Sequence, residues 1–312
     1  MDTAAGTHPL LPPGLRVFER GWLSSNNVLT FDDEHQASLI DSGYCSHAAQ
    51  TEALVTHGLA GRSLVRIFNT HLHSDHCGGN AQLARRFGAA IAIPPGLADA
   101  VAEWDEDRLA YAATGQQCER FSFDSLLVPD SELRLGQLDW RVIAAPGHDP
   151  HSVMFWCADE RILISADVLW QHGFGVIFPE LEGDSGFAEQ AAMLDLIESL
   201  SPRLVIPGHG ALFVDVPAAL ARARQRLAAL AEDPARNARN GARALIKFHL
   251  LAVRRTGLAE LIAHLAAARY FPLINERYFG LVFEDFVDRI VRDLVASGAA
   301  VLHEGVLSNS DS

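Results

Sequence analysis

The chain has 312 residues, 25 Lys and Arg against 39 Asp and Glu, a formal charge of −14, and a composition that is 49% hydrophobic. That size suits one large domain with an appendage, or two domains, with enough apolar residues for a real core. The acidic balance disfavours nucleic acid as a partner. No apolar run nears the ~20 residues that span a bilayer.

The Pro-rich residues 1–14 read as a flexible arm, without the basic and apolar regions of a signal peptide. Val28–Gly43 reads as two β-rich runs joined by the acidic turn D-D-E-H. Ser46–His57 is expected to be helical, and Leu64–Thr70 a short buried strand that ends at a histidine cluster. Asn80–Phe87 follows as an Ala/Leu-rich helix, then the strand A-A-I-A-I-P and helical material to about Tyr111. Ser125–Leu169 is strongly β, with a hairpin around Ala158–Glu160. A helix over Phe187–Leu200 precedes the strand R-L-V-I-P, which runs into G-H-G. Runs of strands with helices between and outside them predict two sheets sandwiched by helices, an α/β fold.

After Gly210 the chain turns helical, with a long helix over Ala218–Ala231. The polar stretch N-A-R-N-G at Asn237–Gly241 reads as a break, dividing a catalytic domain (15–236) from an accessory domain (237–312). The latter shows three helical segments, Ala242–Arg255, Leu258–Ala268 and Phe283–Ser297, and a terminal hairpin, which is a winged-helix-like pattern. The four cysteines, Cys45, Cys77, Cys118 and Cys157, form no C-x-x-C pair, so reduced thiols in a cytoplasmic setting are expected.

The chemistry concentrates in N-T-H-L-H-S-D-H-C-G-G-N, Asn69–Asn80. A single histidine is most often an ordinary core or surface residue. Here three histidines and an aspartate fall within six residues, bounded by Gly78 and Gly79. In an extended turn His71 and His73 point one way and Leu72 the other, and neutral imidazole is a strong metal ligand. Asp75 and His76 follow at once. Three further candidates stand just after apolar strands: His148 in A-P-G-H-D-P-H-S, Asp167 in I-L-I-S-A-D and His209 in V-I-P-G-H-G. Strand-end placement gathers them on one rim of the sheets. His151 competes with His148 but reads as a support behind the ligands or a structural turn residue.

The order H-x-H-x-D-H, P-G-H, A-D, P-G-H-G resembles the metallo-β-lactamase superfamily over roughly Leu15–Phe213. The resemblance implies a four-layer αββα sandwich. It also implies His71, His73 and His148 on one metal ion, Asp75, His76 and His209 on a second, and Asp167 bridging both. In I-D-S-G, Asp41 would support the ligands from behind. An aspartate at 167, where class B1 and B2 β-lactamases carry cysteine, resembles the glyoxalase II, lactonase and RNA-processing members. The C-terminal part resembles the winged-helix extension of the β-lactamase-like 2 branch.

Two divalent ions can share a hydroxide, which metal binding makes available near neutral pH. Zinc is the expected metal, with iron or manganese compatible with the same donors. Asp75 is expected to orient the nucleophile and accept its proton. Tyr44, Trp170 and His172 are expected near the substrate, and Gly173–Pro179 as an apolar pocket wall.

The function expected is hydrolysis of a small thioester, ester or lactone. Endoribonuclease activity, β-lactam hydrolysis as a side activity, and redox chemistry at iron are the alternatives; a scaffold with a relic site would be expected to have lost ligands. Gly241–Ser312 carries eight Lys and Arg against eight Asp and Glu, too little positive charge for a phosphate-tracking surface. It is expected instead to be a lid or a homodimer contact. Arg236, Arg239, Arg243 and Lys247 are the cations that could meet glutathione carboxylates, in no recognised pattern.

Overall fold

A computed structural model describes residues 8–310. The first half builds β1 (Leu15–Phe18), β2 (Asn27–Phe31), β3 (Gln36–Ile40), α1 (Ala48–Gly58), β4 (Ser63–Phe68), α2 (Ser74–Cys77), α3 (Asn80–Phe87), β5 (Ala90–Ile93), α4 (Ala98–Glu103), α5 (Tyr111–Thr114) and β6 (Ser125–Leu126). Its six strands form one sheet in the order β1-β2-β3-β4-β5-β6. The second half builds β7 (Glu132–Leu135), β8 (Leu138–Ala144), β9 (Val153–Cys157), β10 (Ile162–Ala166), α6 (Phe178–Glu182), α7 (Phe187–Leu200), β11 (Leu204–Pro207) and α8 (Val216–Glu232). Its sheet runs β11-β10-β9-β8-β7.

The strands are apolar on both faces because each sheet is covered twice. In the β2–β3 hairpin the opposed pair Val28 and Ile40 faces the second sheet, while the next pair, Leu29 and Leu39, faces the helices. Across the second sheet Val142, Phe155, Ile164 and Ile206 form one row turned toward the first sheet. Their neighbours Ile143, Met154, Leu163 and Val205 pack on the helical side, with Leu194 and Ile197 of α7 and Leu220 and Leu227 of α8. This is the expected αββα sandwich.

The C-terminal region has α9 (Pro234–Val253), β12 (Arg255–Gly257), α10 (Leu258–Ala267), α11 (Tyr270–Tyr278), α12 (Phe283–Ala296), β13 (Ala300–His303) and β14 (Val306–Asn309). A small sheet, β12-β14-β13, closes it, over a core that includes Leu245, Leu261, Phe271, Phe286 and Ile290. Among the described residues no helix is long and apolar enough to cross a membrane.

Four expectations need correction. Asn237–Gly241 is not a break: α9 runs through it unbroken, and a boundary at 236–237 would cut its first turn. Asn237 is fully buried, and its amide donates to the Ile177 carbonyl at 2.9 Å. Its polarity serves a tertiary contact rather than solvent. Tyr270–Tyr278 forms a fourth helix in the C-terminal region, where Pro272 is tolerated in the first turn. Leu15–Phe18 is an edge strand that the sequence reading left in no element. Of the expected arm, residues 1–7 lie outside the described residues. Residues 8–14 are held: the Arg203 guanidinium donates to the Leu10 carbonyl at 3.2 Å, and the Phe31 amide to the Gly14 carbonyl at 2.8 Å.

Replacing Asn237 with Ala strands the buried Ile177 carbonyl. The loss should be about 1–3 kcal/mol, read as a lower denaturant midpoint at unchanged slope. A change under ~0.5 kcal/mol, the size usual for a surface residue, would mean that α9 is not docked there.

Candidate metal centre

The cluster hangs from the C-terminal ends of four strands. β4 delivers Asn69–Cys77, β8 delivers His148, β10 Asp167 and β11 His209. The two ends of the histidine motif close on each other, since Asn80 Nδ2 donates to Asn69 Oδ1 at 2.7 Å. Ser42 bonds the same Asn80 side chain at 2.7 Å and receives the Gly79 amide. The turn between them is thereby fixed.

Asp41, left-handed at φ 59° after β3, sits beneath this turn. Its carboxylate receives the Thr70 amide and the Thr70 hydroxyl, both at 2.8 Å, and His76 Nδ1 at 2.7 Å. A carboxylate only accepts, so His76 Nδ1 carries a proton and Nε2 is the nitrogen turned into the site, where a cation would take the place of its proton. The Thr70 hydroxyl, having donated to Asp41, can accept from His71 Nδ1 at 3.1 Å, which leaves His71 Nε2 as a lone pair. His148 Nδ1 meets the Val176 carbonyl at 2.5 Å, an acceptor again, so its Nε2 is the nitrogen turned into the site, 2.9 Å from His73 Nδ1.

These nitrogens converge. His71, His73 and His148 bring donor atoms within 4.8 Å of one another, as do Asp75, His76 and His209, and as do His71, His76 and Asp167. The Asp167 carboxylate lies between the sets: Oδ1 is 3.4 Å from His76 Nε2, while Oδ2 is 3.5 Å from His148 Nε2 and 3.8 Å from His209 Nε2. Asp75 Oδ2 is 3.1 Å from His209 Nε2.

Burial, joined by the neighbouring imidazoles, holds His71 far below the usual histidine range and His148 at about 4, so both rings are neutral ligands at pH 7. For His76 burial works the same way, but Asp41, Asp167 and Asp75 outweigh it and push the pKa well up. Burial alone would raise Asp75 and Asp167; nearby His76 and His209 outweigh it and hold both carboxyls ionised.

Nε2 of His71 and of His76 and Nδ1 of His209 are buried with no hydrogen-bond partner. Orphaned buried nitrogens are costly, and Nε2 of His71 and of His76, together with His209 Nε2 beside the ionised Asp75 and Asp167, fit a pair of divalent cations. The donors are all nitrogen and oxygen, compatible with zinc, iron or manganese.

The structure brings together all seven residues that the resemblance assigned to metal, with Asp41 behind them. Trp170 is adjacent, its indole nitrogen donating to Asp167 Oδ1 at 3.2 Å. Tyr44 is buried, its ring edge-on to Phe248 at 5.0 Å. His151 is exposed and borders a groove on the far side of His73. His172 is exposed, and the structure does not bring it to the cluster.

Sequence reasoning missed several supports. Asp149, the residue after His148, puts Oδ2 3.5 Å from His73 Nε2; its place in P-G-H-D was the available signal. Trp22 stacks on His209 with centroids 5.5 Å apart, and nothing local announces it. Gly208 and Gly175 are needed for close approach. A Cβ at 208 would stand 2.1 Å from Asp167 Oδ1, and one at 175 would stand 2.3 Å from His148 Nδ1.

A four-layer sandwich bearing a histidine–carboxylate cluster on its rim defines the metallo-hydrolase class of fold. A sequence profile described as the metallo-beta-lactamase superfamily matches residues 20–209, well over half the chain, and the chain belongs to that superfamily. It is similar to "Hydroxyacylglutathione hydrolase GloC" of Haemophilus influenzae, 26% identical over 59% of this chain and 85% of that one. It is also similar to a hydroxyacylglutathione hydrolase of Methylobacterium sp., 30% identical over 58% of this chain but only 60% of that relative. Among solved structures, a beta-lactamase domain protein from Burkholderia ambifaria shares the fold at a TM-score of 0.57 and 21% identity, over 98% of this chain and 95% of that one.

Two substitutions test the supports. Asp41→Asn and Gly208→Ala should each weaken metal affinity by roughly 10–100-fold while the far-ultraviolet spectrum stays that of the folded chain. Metal titration against a chromogenic chelator measures it. Unchanged affinity in both would show that neither residue positions a ligand.

Proposed function

We propose that the chain is a hydrolase of small thioesters, esters or lactones that works with two divalent ions, zinc by default. The observation that carries this reading is the position of Asp167, an ionised carboxylate between two groups of imidazole nitrogens. His71, His73 and His148 would hold one ion, Asp75, His76 and His209 the other, and Asp167 would touch both. When bound, the ions supply Lewis acidity toward the substrate carbonyl and a water acidified toward pH ~7. The hydroxyacylglutathione hydrolases among the relatives support thioester chemistry.

In the reaction, water oxygen bonds to the carbonyl carbon and the carbon–sulfur or carbon–oxygen bond breaks. A carboxylate, a proton and the free thiol or alcohol leave. The Asp75 carboxylate is ionised and has no proton to give at the outset, so it suits orienting the attacking water and taking its proton. His71 and His148, kept neutral by burial, stay available as ligands through neutral pH.

Residues of α9 (Ala244, Leu245 and Phe248) join the wall of the cavity above the cluster. The C-terminal, winged-helix-like region is accordingly proposed as a lid. The groove beyond His73 carries Asp149, Glu182 and Asp184, which disfavours a phosphodiester substrate.

Protein loaded with about two zinc ions per chain should turn over small acyl thioesters. Chelation should abolish the activity and zinc restore it. His71→Ala should abolish it with loss of metal, and Asp75→Asn should cut kcat by about 10²–10⁴-fold. Metal analysis beside a panel of thioesters, a lactone, a cephalosporin and an RNA decides the matter. Iron with no hydrolysis, or RNA cleavage lost in His71→Ala, would overturn the reading.

A further inference from the structure

The geometry points to a substrate whose acyl part is a short, uncharged aliphatic chain of about four to six carbons, carried on a thiol without net negative charge. This rests on the hydrolase reading above and goes beyond it, because it sets glutathione thioesters aside.

The cavity in front of the cluster has His73, Asp75, His148 and Asp167 at one end. Its walls are Leu109, Val176 and Phe178 from the sandwich and Ala244, Leu245 and Phe248 from α9. The end at the cluster is polar and the rest of the lining mostly apolar, with Ser74, Tyr111, Thr114 and Gln116 as its other polar members, an arrangement that suits an acyl chain whose carbonyl lies at the cluster. The cavity measures about 110 Å³. One water needs ~10–15 Å³ on that scale, so about seven to eleven non-hydrogen atoms fit, and fewer once two ions and a water take up the cluster end. A hexanoyl group has seven, a decanoyl group eleven.

Charge gives the second half of the argument. A glutathione thioester brings two carboxylates, and burying them demands cationic partners. Among the described residues no Lys or Arg lines the cavity. The four cations that the sequence offered for that task are engaged elsewhere. Arg236 pairs with Asp233, Arg239 with Asp293, and Arg243 donates to the Ser297 hydroxyl. Lys247 donates to the Ala299 carbonyl and the Asn309 side chain. The groove on the other side of His73, where a leaving thiol would extend, has one arginine, Arg108, held by both oxygens of Asp99 at 3.0 and 2.9 Å. Its other charged side chains include Asp149, Glu182 and Asp184. Glu182 is paired with Arg269 at 3.0 Å, so the like charge that an anionic leaving group meets there comes from Asp149 and Asp184.

The test measures kcat/KM of the zinc-loaded full chain on acetyl, butanoyl, hexanoyl and decanoyl thioesters of N-acetylcysteamine, and on hexanoyl-glutathione. In parallel, calorimetry gives Kd for the matching ketones, in which CH2 replaces the thioester sulfur. About 0.8 kcal/mol per buried methylene is close to fourfold. Four methylenes should therefore improve both readouts by up to roughly 200-fold from acetyl to hexanoyl, with a fall at decanoyl. Hexanoyl-glutathione should be at least about tenfold poorer than its neutral counterpart. Ala244→Phe, which fills the far end, should lower the hexanoyl-to-acetyl ratio about tenfold.

A flat chain-length profile, or preference for the glutathione thioester, in an active enzyme would sink the pocket assignment and leave the hydrolase reading standing. Chain-selective ketone binding without turnover of any thioester would do the reverse. Neither binding nor turnover would sink both.

Discussion

The Asp41 carboxylate is the contact on which the site depends. It ends one strand, and its three hydrogen bonds all come from the turn after a neighbouring strand. A buried carboxylate is tolerated only when its oxygens are satisfied, and Thr70 and His76 do that. The same bonds decide which nitrogen of His76, and through Thr70 which nitrogen of His71, is turned into the site. One aspartate thus converts two imidazoles, each able to exist in two tautomers, into two ligands aimed inward. Its positive φ belongs to the same arrangement: a residue continuing β3 would turn its side chain above or below the sheet rather than toward the adjoining turn.

The sandwich provides what local bonds cannot. β8, β10 and β11 run in one direction, since the two antiparallel steps β8–β9 and β9–β10 restore it and β11 pairs parallel with β10. Their following residues therefore emerge on one rim, beside the turn that leaves β4. Two rows of apolar side chains hold the sheets face to face, so the histidines of one half stay within reach of the carboxylate of the other. The order of distances follows: His148 Nε2 lies 2.9 Å from His73 Nδ1 although 75 residues separate them. Two imidazole nitrogens held so close in a dry site repel unless a proton or a cation lies between them, which is why the cluster favours metal.

Much of this was legible in the sequence, for a physical reason. Strands buried on both faces show as unbroken apolar runs, and metal ligands are chemically distinctive at fixed short spacing, so the His71–His76 turn and the strand-end residues His148, Asp167 and His209 stood out. Asn237–Gly241 misled because polarity marks both solvent and buried amides that serve a partner, and only the partner, Ile177, tells them apart. Pro272 hid α11 because proline breaks a helix interior but suits a first turn. Trp22 and Val176 act through a ring face and a carbonyl oxygen, neither of which their local sequence specifies. Tyr44 and His172 were named for their nearness in sequence to ligands, yet the backbone carries one behind Phe248 and the other to solvent.

The cavity shows why the substrate was harder to read than the reaction. The catalytic end is made by residues that must be histidine or aspartate, so their identity carries the information. The far end is made by Leu, Val, Phe and Ala, the commonest core residues, and their role depends on where α9 lies against the sandwich. That placement rests partly on one amide, Asn237, bound to the backbone just before Phe178. The same contact ties α9 to the segment whose neighbours Val176 and Phe178 line the cavity. A shift of α9 would reshape the wall of the cavity and leave the histidine–carboxylate cluster where it is.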